Sequence, residues 1–271
     1  MDAHNPQVKE MADESMVRNL AVQAAAIWPQ EAPILRAAAL PDAAAILDVG
    51  CGTGEITTRL AALYPRATVV GVDLIESHLA LARERSAQLG GRVTYQRADA
   101  FALPFEARSF DLVVCRHVLQ AVPTPERLLS ELVRVTRPGG VLHLIPENYD
   151  MIHAAPTRLD VSWFWHAASR AFGAATGCDL HIGRTIFKHL RALPVDDIRY
   201  AYVHVNTLEV PRATFAAIFE AWRDGFSESL ATCLDRTEAE IRDYFDATIE
   251  CVRDPDGYAL WVVPVVTARV R

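Results

Sequence analysis

Short apolar runs alternate with helical patterns between residues 45 and 145 of the 271-residue chain. Apolar and β-branched runs of this length predict buried strands. Strands that alternate with helices favour a parallel sheet covered by helices on both faces, so the predicted fold class is α/β. The predicted strands are 46–49, 68–73, 93–96, 110–115 and 141–145, and the predicted helices are 55–63, 76–89 and 125–135.

Helical periodicity also covers residues 15–44, which precede this alternating region. Proline removes a backbone donor and clashes with the preceding turn, so Pro29 and Pro33 are expected to divide this segment into at least two helices. Beyond residue 146 the alternation is looser but remains readable. It predicts helices 161–176, 182–190, 211–229 and 237–251, and strands 198–205 and 259–266.

A glycine-rich loop, Gly50-Cys51-Gly52-Thr53-Gly54, follows the first predicted strand of the alternating region. Glycines at a strand-to-helix turn let the backbone bend tightly and approach a ligand closely. The spacing G-x-G-x-G is more compact than the dinucleotide spacing G-x-G-x-x-G and leaves less provision for a pyrophosphate. We expect Asp48, Gly50, Cys51 and Gly52 to border a nucleoside.

Two carboxylates follow the next two predicted strands. Asp73 ends the second strand, where a carboxylate can accept hydrogen bonds from both ribose hydroxyls. Asp99 follows the third strand, where it can accept a hydrogen bond from an adenine amino group. Leu74 and Ala100 are placed to sandwich the adenine ring. These residues predict an adenosine site at the carboxyl edge of the sheet.

Residues 46–145 resemble class I S-adenosylmethionine-dependent methyltransferases in an ordered series of motifs. The resemblance implies S-adenosylmethionine as cofactor, bound above the carboxyl ends of the strands. It also implies a Rossmann-like, mostly parallel sheet of seven strands with a final antiparallel strand, in which 198–205 and 259–266 are the sixth and seventh. The matching pieces are the glycine loop, Gly71-Val72-Asp73, Asp99, Phe110-Asp111-Leu112-Val113 and residues 132–140.

The same resemblance suggests how one domain is organised. Residues 1–44 have no place in the sheet and are expected to form a helical lid over the cofactor. Residues 45–150 form the cofactor-binding core. Residues 151–271 supply cap helices and the strands that complete the sheet.

Composition narrows the range of partners. The net charge is −7 and there is no cluster of Lys and Arg, which argues against nucleic acid. Arg116-His117 also stands after the fourth strand, where methyltransferases that act on nucleobase amines carry Asn/Asp-Pro-Pro-aromatic. The five scattered cysteines indicate free thiols in a reducing compartment, and Cys178 with His181 is too little for zinc, so no metal is expected.

The chain shows no basic-then-apolar leader and no apolar run long enough to span a membrane. We therefore expect a cytoplasmic protein without a membrane partner. The oligomeric state stays open, with a homodimer as one candidate.

Candidate residues for chemistry follow the fourth and fifth strands. Methyl transfer from a sulfonium is an in-line displacement, so the protein mainly positions, desolvates and deprotonates the acceptor. Arg116 is expected beside the methionine half of the cofactor or beside the acceptor. His117 is the candidate general base, with a loop contact as the alternative. Glu147, Asn148 and Tyr149 are candidates for acceptor contacts, with capping and turn formation as the alternative.

The remaining candidates for a substrate pocket lie on helices outside the core. Trp163 and Trp165 belong to an aromatic cluster, which suits either a cation-binding pocket or simple core packing. Arg18, Gln23 and Trp28 lie on the lid segment and are expected to face the cofactor.

Four functional hypotheses follow. The first is methyl transfer from S-adenosylmethionine to a small molecule. The second consumes the same cofactor without methylation, for example by cyclisation to azetidine-2-carboxylate with release of methylthioadenosine. A non-catalytic nucleoside binder is disfavoured by the intact loop and carboxylates, and an NAD-dependent oxidoreductase by the compact glycine spacing and Asp99.

Overall fold

The computed structural model describes residues 6–271, with the backbone alone for residues 8 and 9, so residues 1–5 of the predicted lid lie outside the described residues. Within this range one sheet of eight strands organises the chain. In chain order the strands are β1 (Ala45–Val49), β2 (Thr68–Asp73), β3 (Val93–Arg97), β4 (Phe110–Arg116), β5 (Thr136–Ile145), β6 (Ile152–Ala155), β7 (Val195–Asn206) and β8 (Tyr258–Val270).

Helices connect and cover these strands. They are α1 (Val8–Met11), α2 (Glu14–Arg36), α3 (Glu55–Leu63), α4 (Glu76–Arg85), α5 (Pro125–Val135), α6 (Val161–Thr176), α7 (Ile186–Arg191), α8 (Arg212–Leu234) and α9 (Glu238–Arg253). Short 3₁₀ turns cover Ala87–Arg92, Leu119–Ala121, Tyr149–Met151 and Ile182–Arg184. No helix within residues 6–271 combines the length and the apolar character that crossing a membrane requires.

The order of the strands shows at which edge of the sheet a crevice can form. The order is β3-β2-β1-β4-β5-β8, with β7 also paired to β8. Strands β1 to β5 pair in parallel, whereas β8 runs antiparallel to β5, β6 and β7. The predicted parallel sheet with a final antiparallel strand is confirmed. Chain order reverses between β1 and β4, and a crevice forms at the carboxyl ends beside such a reversal.

One strand was missing from the sequence prediction. Strand β6 follows β5 and pairs with the start of β8, from Ile152 opposite Trp261 to Ala155 opposite Tyr258. The sheet therefore has eight strands rather than the predicted seven. Four residues are too few to show a period, so only the pairing with β8 identifies this segment as a strand.

The prediction for the N-terminal helices was wrong in two respects. Helix α2 is continuous through Pro29 and Pro33, and it ends at Arg36 rather than near residue 44. Each internal proline removes a helical hydrogen bond at a cost of roughly 3 kcal/mol. Burial of Ala24, Ile27 and Leu35 against the rest of the chain offsets that cost, which local sequence does not reveal.

The largest hydrophobic core joins the cap helices to the sheet and to α2. It contains Ile27 from α2, Ile145 from β5 and residues from β6, β7 and β8, together with a group of large aromatic rings. Because the lid and the caps share this core with the strands, they pack directly around the carboxyl edge of the sheet. The rings are Phe164, Trp165, Phe172, Phe215, Phe219, Trp222, Phe245 and Trp261.

This core predicts a large loss of stability when one of its central rings is removed. Phe215 on α8 is fully buried and packs 5.1 Å from the ring of Phe219. Phe215→Ala is expected to lower the free energy of unfolding by about 3–5 kcal/mol in urea titrations. Leu208→Ala is the matched control, because Leu208 is 80% exposed and its removal should change stability by less than about 0.5 kcal/mol.

Candidate active site

The glycine loop closes against both β2 and the lid helix. The amides of Gly50 and Cys51 donate to the carbonyl of Val72, at 2.9 and 3.0 Å. Gly52 has a positive φ of 51°, and a Cβ placed there would lie 2.7 Å from Cδ1 of Leu20 on α2. The loop is therefore packed too closely under the lid for a side chain at this position.

Asp73 is held at the mouth of this loop. Its Oδ2 accepts the amide hydrogen of Gly52 at 2.8 Å, and its Oδ1 accepts that of Ile75 at 2.9 Å. Each carboxylate oxygen has a second lone pair, so a fixed carboxylate can still accept two hydroxyl groups.

All the residues predicted to bind the cofactor except Asp99 line one cleft at the carboxyl edge. Asp99 lies between two lining alanines, Ala98 and Ala100, and its Oδ1 accepts the amide hydrogen of Phe101 at 2.9 Å. The apolar wall of the cleft includes Ile75, Val118 and Ala121 in addition to the predicted residues. The predicted residues that line the cleft are Asp48, Gly50, Cys51, Gly52, Asp73, Leu74, Ala100 and Arg116.

Asp48 and Cys51 are buried beneath the loop. Oδ2 of Asp48 accepts the hydroxyl hydrogen of Thr57 at 2.6 Å, which ties β1 to α3. Burial raises the pKa of Asp48 to about 6, although the bond from Thr57 and the charge of Arg116 oppose the shift. Burial also raises the pKa of Cys51 well above its ordinary value, which keeps the thiol neutral.

A buried ion pair fastens the lid helix to the sheet. Nε of Arg116 lies 3.0 Å from Oε1 of Glu31 on α2, and the same oxygen lies 2.8 Å from Nε2 of His143 on β5. Burial alone would raise the pKa of Glu31, but the charge of Arg116 and the hydrogen bond from His143 outweigh it and lower that pKa.

Sequence reasoning missed Glu31 and His143, although a signal was present. Glu31 lies four residues from both Ile27 and Leu35, so one acidic residue interrupts the apolar face of α2. A carboxylate on a buried helix face needs a hydrogen-bonding or positively charged partner. The acidic residue on this apolar face therefore predicts such a partner elsewhere in the fold.

His117 and Glu147 form a second buried pair, and His117 lines the cleft. Nδ1 of His117 lies 2.5 Å from Oε1 of Glu147, whose side chain is fully buried. The backbone of His117 is left-handed, with φ of 55°, a conformation that is strained for a residue other than glycine. Within residues 6–271, Nε2 of His117 is buried and has no hydrogen-bond partner.

Asn148 and Tyr149 follow Glu147 and are both turned inward. Asn148 is buried, and no described group bonds its Oδ1. Burial raises the pKa of the Tyr149 hydroxyl well above its ordinary value, and the charge of Glu147 adds to this effect. Tyr149 therefore stays protonated near neutral pH and is not suited to act as a base.

Three predicted pocket residues lie elsewhere and are corrected here. Arg18 is on the outer face of α2, where it pairs with Glu14 and Asp224. Trp28 packs into the core between α2, β1 and α3. Trp163 is 40% exposed and lies against Tyr244. Helical periodicity gave their spacing, but packing decided which face of each helix points inward.

The lid nevertheless contributes to the cleft through other side chains. Met11, Leu20 and Gln23 line it, so Gln23 lies where the sequence placed it. A second pocket lies beside the cleft, among the caps, and contains the predicted residues Tyr149 and Trp165. We call it the aromatic pocket and define it by six rings, which are Tyr149, Trp165, Phe172, Trp222, Phe226 and Phe245.

Comparison with known proteins identifies the part of the chain that carries this cleft. Residues 47–144 match the family described as "Methyltransferase domain". Trans-aconitate 2-methyltransferase of Azoarcus sp. (strain BH72) is 42% identical over 112 residues, which are 41% of this chain and 42% of that protein. Ubiquinone biosynthesis O-methyltransferase of Coxiella burnetii is 36% identical over 97 residues, covering 36% of this chain and 41% of that protein.

Residues 47–144 thus match a methyltransferase domain, in agreement with the resemblance predicted for residues 46–145. S-adenosylmethionine is the cofactor that this match implies. The chain spans about two fifths of the length of the curated relatives it matches.

The methyltransferase fold extends over more of the chain than the family match does. Phosphoethanolamine N-methyltransferase 2 of Haemonchus contortus, solved with phosphomonomethylethanolamine and S-adenosylhomocysteine, superposes with a TM-score of 0.56 at 22% identity. The match covers 90% of this chain and 52% of that one. The lid and caps therefore belong to the same overall fold as the methyltransferase domain.

The raised pKa of Asp48 predicts how stability depends on pH. The folded protein binds this proton more tightly than the unfolded chain, so ionisation costs stability as pH rises from the ordinary value of 3.8 to about 6. Between about pH 4.5 and about pH 7.5, wild type should lose roughly 2 kcal/mol of unfolding free energy relative to Asp48→Asn. Urea titrations of both proteins at the two pH values measure this difference, and a difference that does not change with pH contradicts the assignment.

Proposed function

We propose that this protein binds S-adenosylmethionine in the cleft and transfers its methyl group to a small-molecule acceptor held under the cap helices. The observation that carries the proposal is the buried His117–Glu147 pair, which places an imidazole at the cleft beside the glycine loop. The lack of a nucleic-acid partner belongs to the same proposal and rests on the acidic net charge of −7. A cytoplasmic location also belongs to it and rests on the five cysteines, which are free thiols in the structure.

The side chains of the cleft fit the two halves of the cofactor. Leu74, Ile75, Ala98 and Ala100 offer an apolar wall for an adenine ring, and Asp73 offers two fixed oxygens to the ribose hydroxyls. Nη2 of Arg116 is buried without a hydrogen-bond partner among the described residues, and a carboxylate of the methionine half would satisfy it.

When bound, the cofactor supplies a methyl group on a sulfonium sulfur that leaves as a neutral thioether with the electron pair of the broken C–S bond. An acceptor hydroxyl forms the new C–O bond, and its proton passes to Nε2 of His117. Glu147 contacts Nδ1 of His117, so Nε2 points away from Glu147. The Glu147 carboxylate also stabilises the imidazolium that forms when His117 takes the proton. This is the arrangement of a positioned base with a carboxylate partner.

The lid and caps exclude water from this reaction. Helix α2 places Leu20 against the glycine loop and Glu31 against Arg116, so the cleft is covered by a helix that is anchored in the core. In this proposal residues 45–150 hold the cofactor, the N-terminal segment covers it, and residues 151–271 form the acceptor pocket. The names of the two relatives, one a trans-aconitate and one a ubiquinone-pathway methyltransferase, support a small organic acceptor.

Asp73 tests the placement of the cofactor. Asp73→Ala removes the hydroxyl acceptors and should raise the Kd for S-adenosylmethionine about 10- to 100-fold, as expected for hydrogen bonds to a charged group. Isothermal titration calorimetry measures the Kd, and circular dichroism verifies the fold. Asp42→Ala is the control, because Asp42 is a surface residue that pairs with Arg66. An unchanged Kd for Asp73→Ala contradicts the placement of the ribose.

His117 tests the reaction itself. Incubation with S-adenosylmethionine and a metabolite extract, followed by mass spectrometry, should yield S-adenosylhomocysteine and an acceptor heavier by one methylene. His117→Asn keeps an amide that can donate to the buried Glu147, so circular dichroism should show an intact fold; the variant should lower kcat about 10²- to 10⁴-fold and leave the Kd for the cofactor unchanged. His153→Ala, on the exposed side of β6, should retain full activity.

Incubation with the cofactor alone separates the methylation and cyclisation hypotheses. Methyl transfer without an acceptor should leave S-adenosylmethionine intact. If methylthioadenosine accumulates faster than in a control without enzyme, this result contradicts methyl transfer and supports intramolecular cyclisation.

A further inference from the structure

The aromatic pocket is separated from the cofactor cleft by one short segment of chain. In residues 117–121, which follow β4, His117, Val118 and Ala121 line the cleft. Gln120 of the same segment lines the aromatic pocket. A molecule in the aromatic pocket therefore lies beside the segment that carries His117.

A chain of ring contacts links this pocket to the His117–Glu147 pair. Tyr149 packs edge-on against Trp222, with ring centres 5.6 Å apart, and Trp222 packs edge-on against Trp261 at 5.3 Å. The ring of Trp261 lies 6.3 Å from that of His117. Packed rings of this kind fix the shape of the pocket relative to the imidazole.

The lining of the aromatic pocket carries no charge among the residues that the structure describes. Besides the six rings it consists of alanine, leucine, serine and glutamine side chains. The cofactor cleft, in contrast, is lined by Asp48, Glu55, Asp73 and Arg116. An anion buried without a partner costs several kcal/mol, so the aromatic pocket disfavours polycarboxylates.

Two polar atoms in this pocket identify what the ligand must offer. Trp165 and Gln120 are each only 6% exposed. The indole N–H of Trp165 and Oε1 of Gln120 are buried, and no group in residues 6–271 bonds either of them. A hydroxyl group offers what both atoms lack, because it can accept from an indole N–H and donate to an amide oxygen.

We propose that the aromatic pocket binds the acceptor as an uncharged aromatic compound with two oxygen substituents, one held by Trp165 and Gln120 and the other turned toward His117. This inference rests on the proposed function. Flat rings suit packing among Tyr149, Trp222 and Phe245, and the first oxygen fixes which of the two is presented to His117. Trp165 and Gln120 are then specificity-determining residues.

Calorimetric titrations of the full chain, saturated with S-adenosylhomocysteine, test this proposal with three probes. 4-Propylcatechol has two hydroxyls, 4-propylphenol has one, and 3,4-dihydroxybenzoate adds a carboxylate. We expect 4-propylcatechol to bind about 5- to 10-fold more tightly than 4-propylphenol, and the benzoate to bind at least about 10-fold more weakly than the catechol.

Trp165→Phe removes the indole N–H but keeps an aromatic ring. The variant should therefore fold, and its melting temperature tests this. It should weaken the binding of 4-propylcatechol and of 4-propylphenol by about 5- to 10-fold each, because either compound places a hydroxyl against Trp165 and Gln120. Trp163→Phe, the neighbouring and exposed tryptophan, should change neither affinity. Equal binding of the benzoate and the catechol, or unchanged binding of both phenols to Trp165→Phe, overturns the proposal.

Binding is measured apart from turnover, so the two hypotheses can fail separately. If 4-propylcatechol binds as expected but no S-adenosylhomocysteine forms when S-adenosylmethionine is supplied, the methyl-transfer function fails and the ligand class stands. If S-adenosylhomocysteine forms with an extract but none of the probes binds, the function stands and the ligand class is wrong.

Discussion

Buried carboxylates impose the constraint on which the site depends, because each of them requires a partner from another part of the chain. Glu31 on the lid helix and Glu147 after β5 are both fully buried. Glu31 contacts Arg116 at the end of β4, and Glu147 contacts the next residue, His117. An unpaired carboxylate in these positions would be strongly destabilising, so the lid, β4 and the segment after β5 hold one another in place.

The parallel sheet decides where these partners meet. Strands β1, β2, β4 and β5 all end at the same edge, so the glycine loop, Asp73, His117 and Glu147 converge although they span about a hundred residues of sequence. The antiparallel strand β8 adds Trp261 beneath the same edge, and the aromatic rings of the caps pack upon it. The cleft and the aromatic pocket thus both take lining residues from the segment 117–121. Charged side chains line the cleft, whereas the side chains that line the aromatic pocket are uncharged.

This division gives each half of the site a separate task. The strand ends and the glycine loop are suited to a polar nucleoside and are described by a family model over residues 47–144. The caps lie outside that match, and the relatives share only about two fifths of their length with this chain. In the proposed function, acceptor choice falls to residues outside that match, and the chemistry of the pocket lining supports this part of the proposal.

The sequence by itself determined the parallel core, its helices and the glycine-loop and strand-end residues that line the cleft, because these depend on local periodicity and on a loop whose residues are contiguous. It did not determine the path of α2 through Pro29 and Pro33, since the stabilising contacts come from distant strands and caps. Strand β6 became visible only through its pairing with β8. The inward faces of the helices were also decided by packing, which placed Trp165 in a pocket and left Trp163 at the surface. The partners of His117 and Arg116 lie 30 and 85 residues away, and only the tertiary structure brings such distant charges together.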